Sequence, residues 1–262
     1  MKALTELSKL LKYRELIKAL ILRQIKIRYE TRAWGYAWTV IEPLLTMFVL
    51  SFVIGTLLKA RTENFSAYLL SGLIPWMFFN GTVSRSTGSL IGNAGLIKRV
   101  YFPREVLVLS MAIVNFITFL LSFIAFIPIM MLLRIHLTAH IFFLPVSMLM
   151  LLSLSLGFSL VLACTNVYYR ETETWVRFVL QIAFFMTPIF YAMENRIPER
   201  FYALYLTLNP LAVIIMSFRG ALMGTAFPSP KYIVISAAVS GIVFFFGYWV
   251  FKKQENEAVK RI

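Results

Sequence analysis

The chain has 262 residues, with 26 Lys and Arg against 12 acidic residues and a formal net charge of +14. Only 15% of the residues are charged, 60% are hydrophobic and the mean hydropathy is +0.77, whereas a soluble domain carries about 25% charged residues. This excludes an ordinary soluble domain, and because the basic residues are confined to particular segments it also argues against nucleic acid as the reason for the charge.

In chain order, the first 34 residues hold nine Lys and Arg and no uninterrupted apolar stretch of spanning length, so they do not read as a signal peptide. Leu7, Leu10, Leu11, Ile17, Ile21 and Ile25 share one helical face, with Lys9, Lys12, Arg23 and Lys26 opposite. The pattern predicts an amphipathic interface helix over 1–33, lying along a membrane surface; a helix packed on a soluble partner would show the same pattern. About 20 apolar residues cross a bilayer core as a helix. Six such spans are predicted at 38–58, 65–83, 106–133, 141–167, 175–193 and 232–251, the second interrupted by Gly72 and Pro75.

Between the second and third spans, residues 95–105 form a charged knuckle, in which Lys98, Arg99, Arg104 and Glu105 crowd around Tyr101, Phe102 and Pro103. Ile97–Tyr101 reads as a short amphipathic helix with Lys98 and Arg99 exposed, and Pro103 is placed to start the third span. Two aromatics in an aqueous loop cost solubility unless covered, so the knuckle is expected to dock into a partner; the plainer alternative is an ordinary basic loop. His136 and His140 flank the next loop without a third ligand nearby and read as solvated. Cys164, the single cysteine, lies inside the fourth span and leaves no internal disulfide. Residues 196–223 hold Asn209 and Pro210 between the short apolar segments 201–208 and 211–223. That break predicts a pair of re-entrant helices before the last span. Gly220-Ala-Leu-Met-Gly224 matches the small-xxx-small packing pattern.

With the N-terminus inside and six spans, 19 Lys and Arg fall on the inner side and seven elsewhere. This positive-inside bias places both termini and the knuckle in the cytoplasm.

The chemistry is that of a path rather than a reaction centre. No Gly-x-x-x-x-Gly-Lys-Ser/Thr occurs and every acidic residue is Glu, so neither a P-loop nor a paired-Asp metal site is present. Glu42 near the inner end of the first span and Arg219 in the re-entrant segment are the notable ionisable groups within apolar segments, and a proton-driven carrier would need acids near the midplane. Aromatics cluster near span ends at Trp34, Tyr36 and Trp38, at Trp76, Phe78 and Phe79, and at Phe184, Phe185, Phe190 and Tyr191. Such rings suit either a membrane-interface belt or a sugar path, since aromatic faces stack on the apolar faces of sugars.

Four stretches in this order resemble one family. They are "LIKALILRQIKIRYETRAWGYAWTVIEPLL" (16–45), "IKRVYFPREVL" (97–107), "YYRETETWVRFVLQIAFFMTPIFY" (168–191) and "LNPLAVIIMSFRGAL" (208–222). The chain is similar over nearly its whole length to the membrane permease subunit of ABC-type polysaccharide exporters, which move O-antigen, teichoic acid or capsule chains across the bacterial inner membrane. The resemblance implies an all-α homodimer of six-span subunits with a channel at the interface, and from the aromatic clusters of the first and fifth spans we expect Trp34, Tyr36, Trp38, Glu42, Phe184, Phe185, Phe190 and Tyr191 to line it. It implies two cytoplasmic ABC ATPase subunits, which carry the ATP and Mg while this chain holds no cofactor. Lys98, Arg99, Tyr101, Phe102, Pro103, Arg104 and Glu105 would form the coupling region, and Asn209, Pro210 and Arg219 would belong to the outer gate. The rival readings are a permease for small drugs or lipids, which should have a closed and more polar pocket, and a membrane enzyme such as a lipid-linked sugar transferase, which should carry acidic metal-binding motifs.

Overall fold

A computed structural model describes residues 13–29, 35–57, 64–133, 135, 139–193, 198–225 and 227–261. Within them the chain is helical, with no strand. The helices are α1 (Arg14–Tyr29), α2 (Trp38–Leu50, preceded by a 3-10 turn at Gly35–Ala37 and continued by a π-helical stretch to Leu57), α3 (Phe65–Thr87), α4 (Ser89–Gly92), α5 (Ala94–Arg99), α6 (Glu105–Leu132), α7 (Leu144–Tyr168), α8 (Thr172–Met186), α9 (Glu199–Leu208), α10 (Pro210–Met223) and α11 (Pro230–Arg261). Residues 1–12, 30–33, Trp34, His136 and Arg196 lie outside the described residues, as does the side chain of Tyr36.

Among the described residues, three helices are long and apolar enough to cross a membrane: α6, the stretch His140–Tyr168 that contains α7, and α11. The predicted second span differs from expectation. Instead of breaking at Gly72 and Pro75, α3 runs unbroken for 23 residues with Pro75 inside it. It is the central helix, packed against α2, α6, α7, α8 and α10, with Leu69, Leu70, Leu73, Phe78 and Val83 buried. Neighbours on all sides hold the helix where an isolated one would kink at proline. That enclosure also lets it carry Ser71, Thr82, Ser86 and Thr87 fully inside the protein. The predicted fifth span is shortened. Helix α8 stops at Met186 because Thr187 precedes Pro188 and adopts an extended conformation (φ −103, ψ 139). Residues 187–191 then follow as a series of bends.

The core has two main parts. One lies between α3, α6, α7 and α10 and includes Phe78, Phe119, Phe126, Leu151, Leu154 and Phe218. The other gathers Leu20, Ile97, Phe102, Leu107, Cys164 and Phe251 at the knuckle end. Helices α7 and α11 approach closely through glycine: a Cβ on Gly157 would lie 2.5 Å from the Val243 carbonyl oxygen, and one on Gly247 would collide with Gly157 itself. The small-xxx-small pattern at 220–224 serves otherwise. Gly224 ends α10 in the left-handed conformation (φ 64), its N–H donating to the Gly220 carbonyl at 3.0 Å.

The amphipathic α1 packs along α6. Leu20 is buried, and Arg28 donates to Asn115 Oδ1 and to Thr118 Oγ1, each at 3.1 Å. Leu22 and Ile27 remain exposed. Helices α9 and α10 meet at an angle of 98° across Asn209, the bend expected at the Asn-Pro break.

Candidate functional site

The knuckle is half inside the protein. α5 ends at Arg99, Val100 is extended, and Arg104 precedes α6, so Pro103 lies just before the helix rather than in its first turn. Lys98, Arg99, Val100 and Tyr101 form a continuous exposed strip in which Tyr101 is 82% exposed. The Arg104 guanidinium stands 5.1 Å from the Tyr101 ring. Phe102 and Glu105, read as docking residues from sequence, point the other way. Phe102 is fully buried beside Ile97 and Phe251. Glu105 is buried and accepts a 2.6 Å hydrogen bond from Lys252 Nζ at the polar end of α11. Lys252 also faces Glu255 at 3.5 Å. Burial pulls the Lys252 ammonium down, but the Glu105 hydrogen bond and charge outweigh it, with Glu255 adding to them, so it ends above the usual lysine range. Burial pushes the Glu255 carboxyl up, and Lys252 and Arg104 offset this only in part. The knuckle is therefore fastened from below by an apolar anchor and an ion pair, leaving one short basic-aromatic strip free.

The expected channel residues separate into two places. Trp38 and Glu42, one turn apart at the start of α2, line a polar cavity of about 230 Å³ together with Arg28, Asn80, Arg85 and Asn115. This cavity lies within one chain, between α1, α2, α3 and α6. Phe184, Phe185, Phe190 and Tyr191 come together at the other end of α8. Phe184 and Phe185 lie 5.7 and 6.0 Å from Phe190, Phe190 lies 5.2 Å from Tyr191, and Trp76 meets Phe184 at 5.6 Å. Helix α8 exposes Trp175, Phe178, Val179, Ile182 and Phe185 on one side, and α2 exposes Leu45, Phe48, Val49 and Phe52. Beside α8 an apolar groove of about 880 Å³ runs from Thr172 and Val83 to Leu208.

The expected gate residues are placed unequally. Asn209 caps α10, its Oδ1 accepting from the Ala212 N–H at 3.0 Å, and its Nδ2 donates to the Met186 carbonyl at 3.3 Å. Pro210 opens α10 at a position where proline is tolerated. Arg219 is not near a surface: it is 3% exposed, and its guanidinium donates to the Ile189 carbonyl at 2.9 Å and to Ser71 Oγ at 3.3 Å. It also sits 3.5 Å from the centroid of the Tyr68 ring. Tyr68, Ser71 and Tyr205 were missed from sequence. The Thr-Pro pair at 187–188 was the available signal, since a broken helix leaves carbonyls that need side-chain partners.

Among the described residues no group of three His, Cys, Asp or Glu is placed to hold a metal ion, and the His140 ring stacks on Phe227 at 5.0 Å.

Residues 15–223 match the family described as ABC-2 type transporter. The chain is 28% identical over 257 residues to "O-antigen export system permease protein RfbA" of Myxococcus xanthus, covering 97% of both chains. It is 28% identical over 240 residues to the protein of the same name from Klebsiella pneumoniae, covering 91% of this chain and 92% of the relative. It is 26% identical over 237 residues to "Polysialic acid transport protein KpsM" of Escherichia coli, covering 87% of each. With a polytopic helical bundle that is apolar outside and carries a fastened basic knuckle at one end, the chain belongs to the ABC-2 type transporter family.

Proposed function

We propose that this chain is the channel-forming membrane subunit of an ATP-driven exporter that moves a lipid-linked polysaccharide out of the cytoplasm across the bacterial inner membrane. One observation carries the reading: relatives named for O-antigen and for polysialic acid match almost the whole chain, so what they share is a long glycan cargo. ATP would be bound and hydrolysed by two copies of a separate cytoplasmic ATPase. The strip Lys98–Tyr101 with Arg104 would seat that ATPase, while Phe102 and Glu105 transmit its motion to α6 and α11 through the contacts that fasten the knuckle.

Two copies would enclose the path. The exposed apolar faces of α2 and α8 supply the interface, the Phe184–Tyr191 cluster forms the outer mouth, and the Trp38–Glu42 region lies at the inner end. Both termini lie in the cytoplasm, in keeping with the positive-inside bias. Deleting the gene in its native host should abolish surface polysaccharide and leave lipid-linked polymer in the cytoplasm. A plasmid copy should restore export, and a copy with Tyr101→Ala and Lys98→Ala should restore it poorly, because a few central anchors dominate such interfaces. Unaltered surface polymer in the deletion strain would contradict the reading.

A further inference from the structure

The break at Thr187–Pro188 leaves the last carbonyls of α8 and those of the following bends without helical partners. The turn's own Thr187 Oγ1 and Tyr191 Oη donate to the Ala183 and Phe185 carbonyls, and side chains from other elements take the Met186, Ile189 and Tyr191 carbonyls. Tyr205 Oη and Asn209 Nδ2, around the α9–α10 bend, both donate to the Met186 carbonyl. Arg219 of α10 donates to the Ile189 carbonyl at 2.9 Å. Tyr68 Oη of α3 donates to the Tyr191 carbonyl at 2.9 Å. Arg219 and Tyr68 are joined to each other, guanidinium over ring, an attraction that strengthens away from water. Gly72 makes room for this: a Cβ there would lie 2.8 Å from Arg219 Nη2 and 3.1 Å from the Ile189 carbonyl oxygen. The support is rigid, since every residue of α10 from Leu211 to Leu222 is buried.

We propose that Arg219 is the positioning residue of the outer mouth. Together with Tyr68 it clasps the 187–191 turn and thereby sets where Phe190 and Tyr191 stand, holding the mouth closed at rest. This rests on the reading of the Phe184–Tyr191 cluster as the mouth of the export path. It divides the re-entrant pair: α10 is a fixed post, and the turn that carries the aromatics is the part that yields. A lysine could not replace Arg219, because a single ammonium cannot stack on Tyr68 and serve Ser71 and Ile189 together.

The test uses the full-length chain with its ATPase partner in proteoliposomes, in a Cys164→Ala background. Two quantities are read without ATP: passive potassium leak, and the labelling rate of Phe190→Cys by a membrane-impermeant maleimide. Arg219→Lys and Tyr68→Phe should each raise both by about tenfold, the size expected from losing one strong hydrogen bond on the closed side of the equilibrium. Phe142→Cys, on an exposed segment between α6 and α7, should label at an unchanged rate. Tyr68→Phe keeps the ring and packing, so it reports even if Arg219→Lys folds poorly. Unchanged leak and Phe190 labelling in both variants would overturn the proposal, as would an equal rise at Phe142, which would indicate general loosening. If wild type moves no polysaccharide, the functional reading falls, while the labelling rates still decide the clasp.

Discussion

Glu105 shows how far a single side chain's role depends on the whole fold. Its partner Lys252 is 147 residues away in sequence, so neither spacing nor composition of the knuckle reveals the pair, and from sequence the carboxylate read as part of the docking surface. Replacing Glu105 by Ala should cost about 2 kcal/mol of stability, less than the ~3–5 kcal/mol of a fully buried pair because Lys252 keeps some access to water. Thermal unfolding of the detergent-solubilised chain measures it. Glu255 gives the opposite sign. Its folded-state pKa is raised above 4.5, mainly by burial, so its contribution is fully present below pH 4.5 and is lost as pH rises through the raised value. Glu255→Gln should therefore raise the unfolding temperature at pH 8 and leave it nearly unchanged at pH 4. A lower unfolding temperature at pH 8 would mean that the attraction to Lys252 outweighs the burial.

Helices and their contacts were legible to different degrees. The bend at Asn209–Pro210 and the long apolar α6, α7 and α11 follow from residue type and run length, which are local. The early end of α8 was written in the sequence as Thr187–Pro188 but was hidden by the hydrophobicity that continues through Ile189, Phe190 and Tyr191. Pro75 sent the opposite false signal, since its helix is held by neighbours that no local pattern shows. The α7–α11 contact was equally invisible, for a glycine in an apolar run looks the same whether or not another helix touches it. Helix α11 supplies the comparison. A Cβ added at Gly241 would meet nothing within 4 Å, whereas one on Gly247 would strike the Gly157 backbone. Gly241→Ala should stabilise by up to ~1 kcal/mol through helix propensity. Gly247→Ala should destabilise by about 3 kcal/mol, because backbone must move aside. Equal unfolding temperatures for the two variants would contradict the close approach.

At the scale of the whole molecule, the all-α membrane class followed from composition, and family membership follows from the match over residues 15–223. How two copies would meet depends on the apolar surfaces that a single chain exposes on α2 and α8. The apolar residues there would suit lipid or a partner equally well by composition alone. The proposed path joins them to the basic knuckle and to the Phe184–Tyr191 aromatic cluster. An extended polymer does not fit the 230 Å³ cavity inside one chain, and the proposed path therefore runs between two copies. The most direct measurement is transport by the purified complex of this chain and its ATPase, reconstituted in vesicles with lipid-linked polysaccharide on the ATPase-exposed face. ATP should make the polymer accessible to a glycan-cleaving enzyme sealed inside the vesicles, and omitting either subunit should prevent it. ATP hydrolysis by the intact complex with the polymer left wholly on the outer face would contradict it.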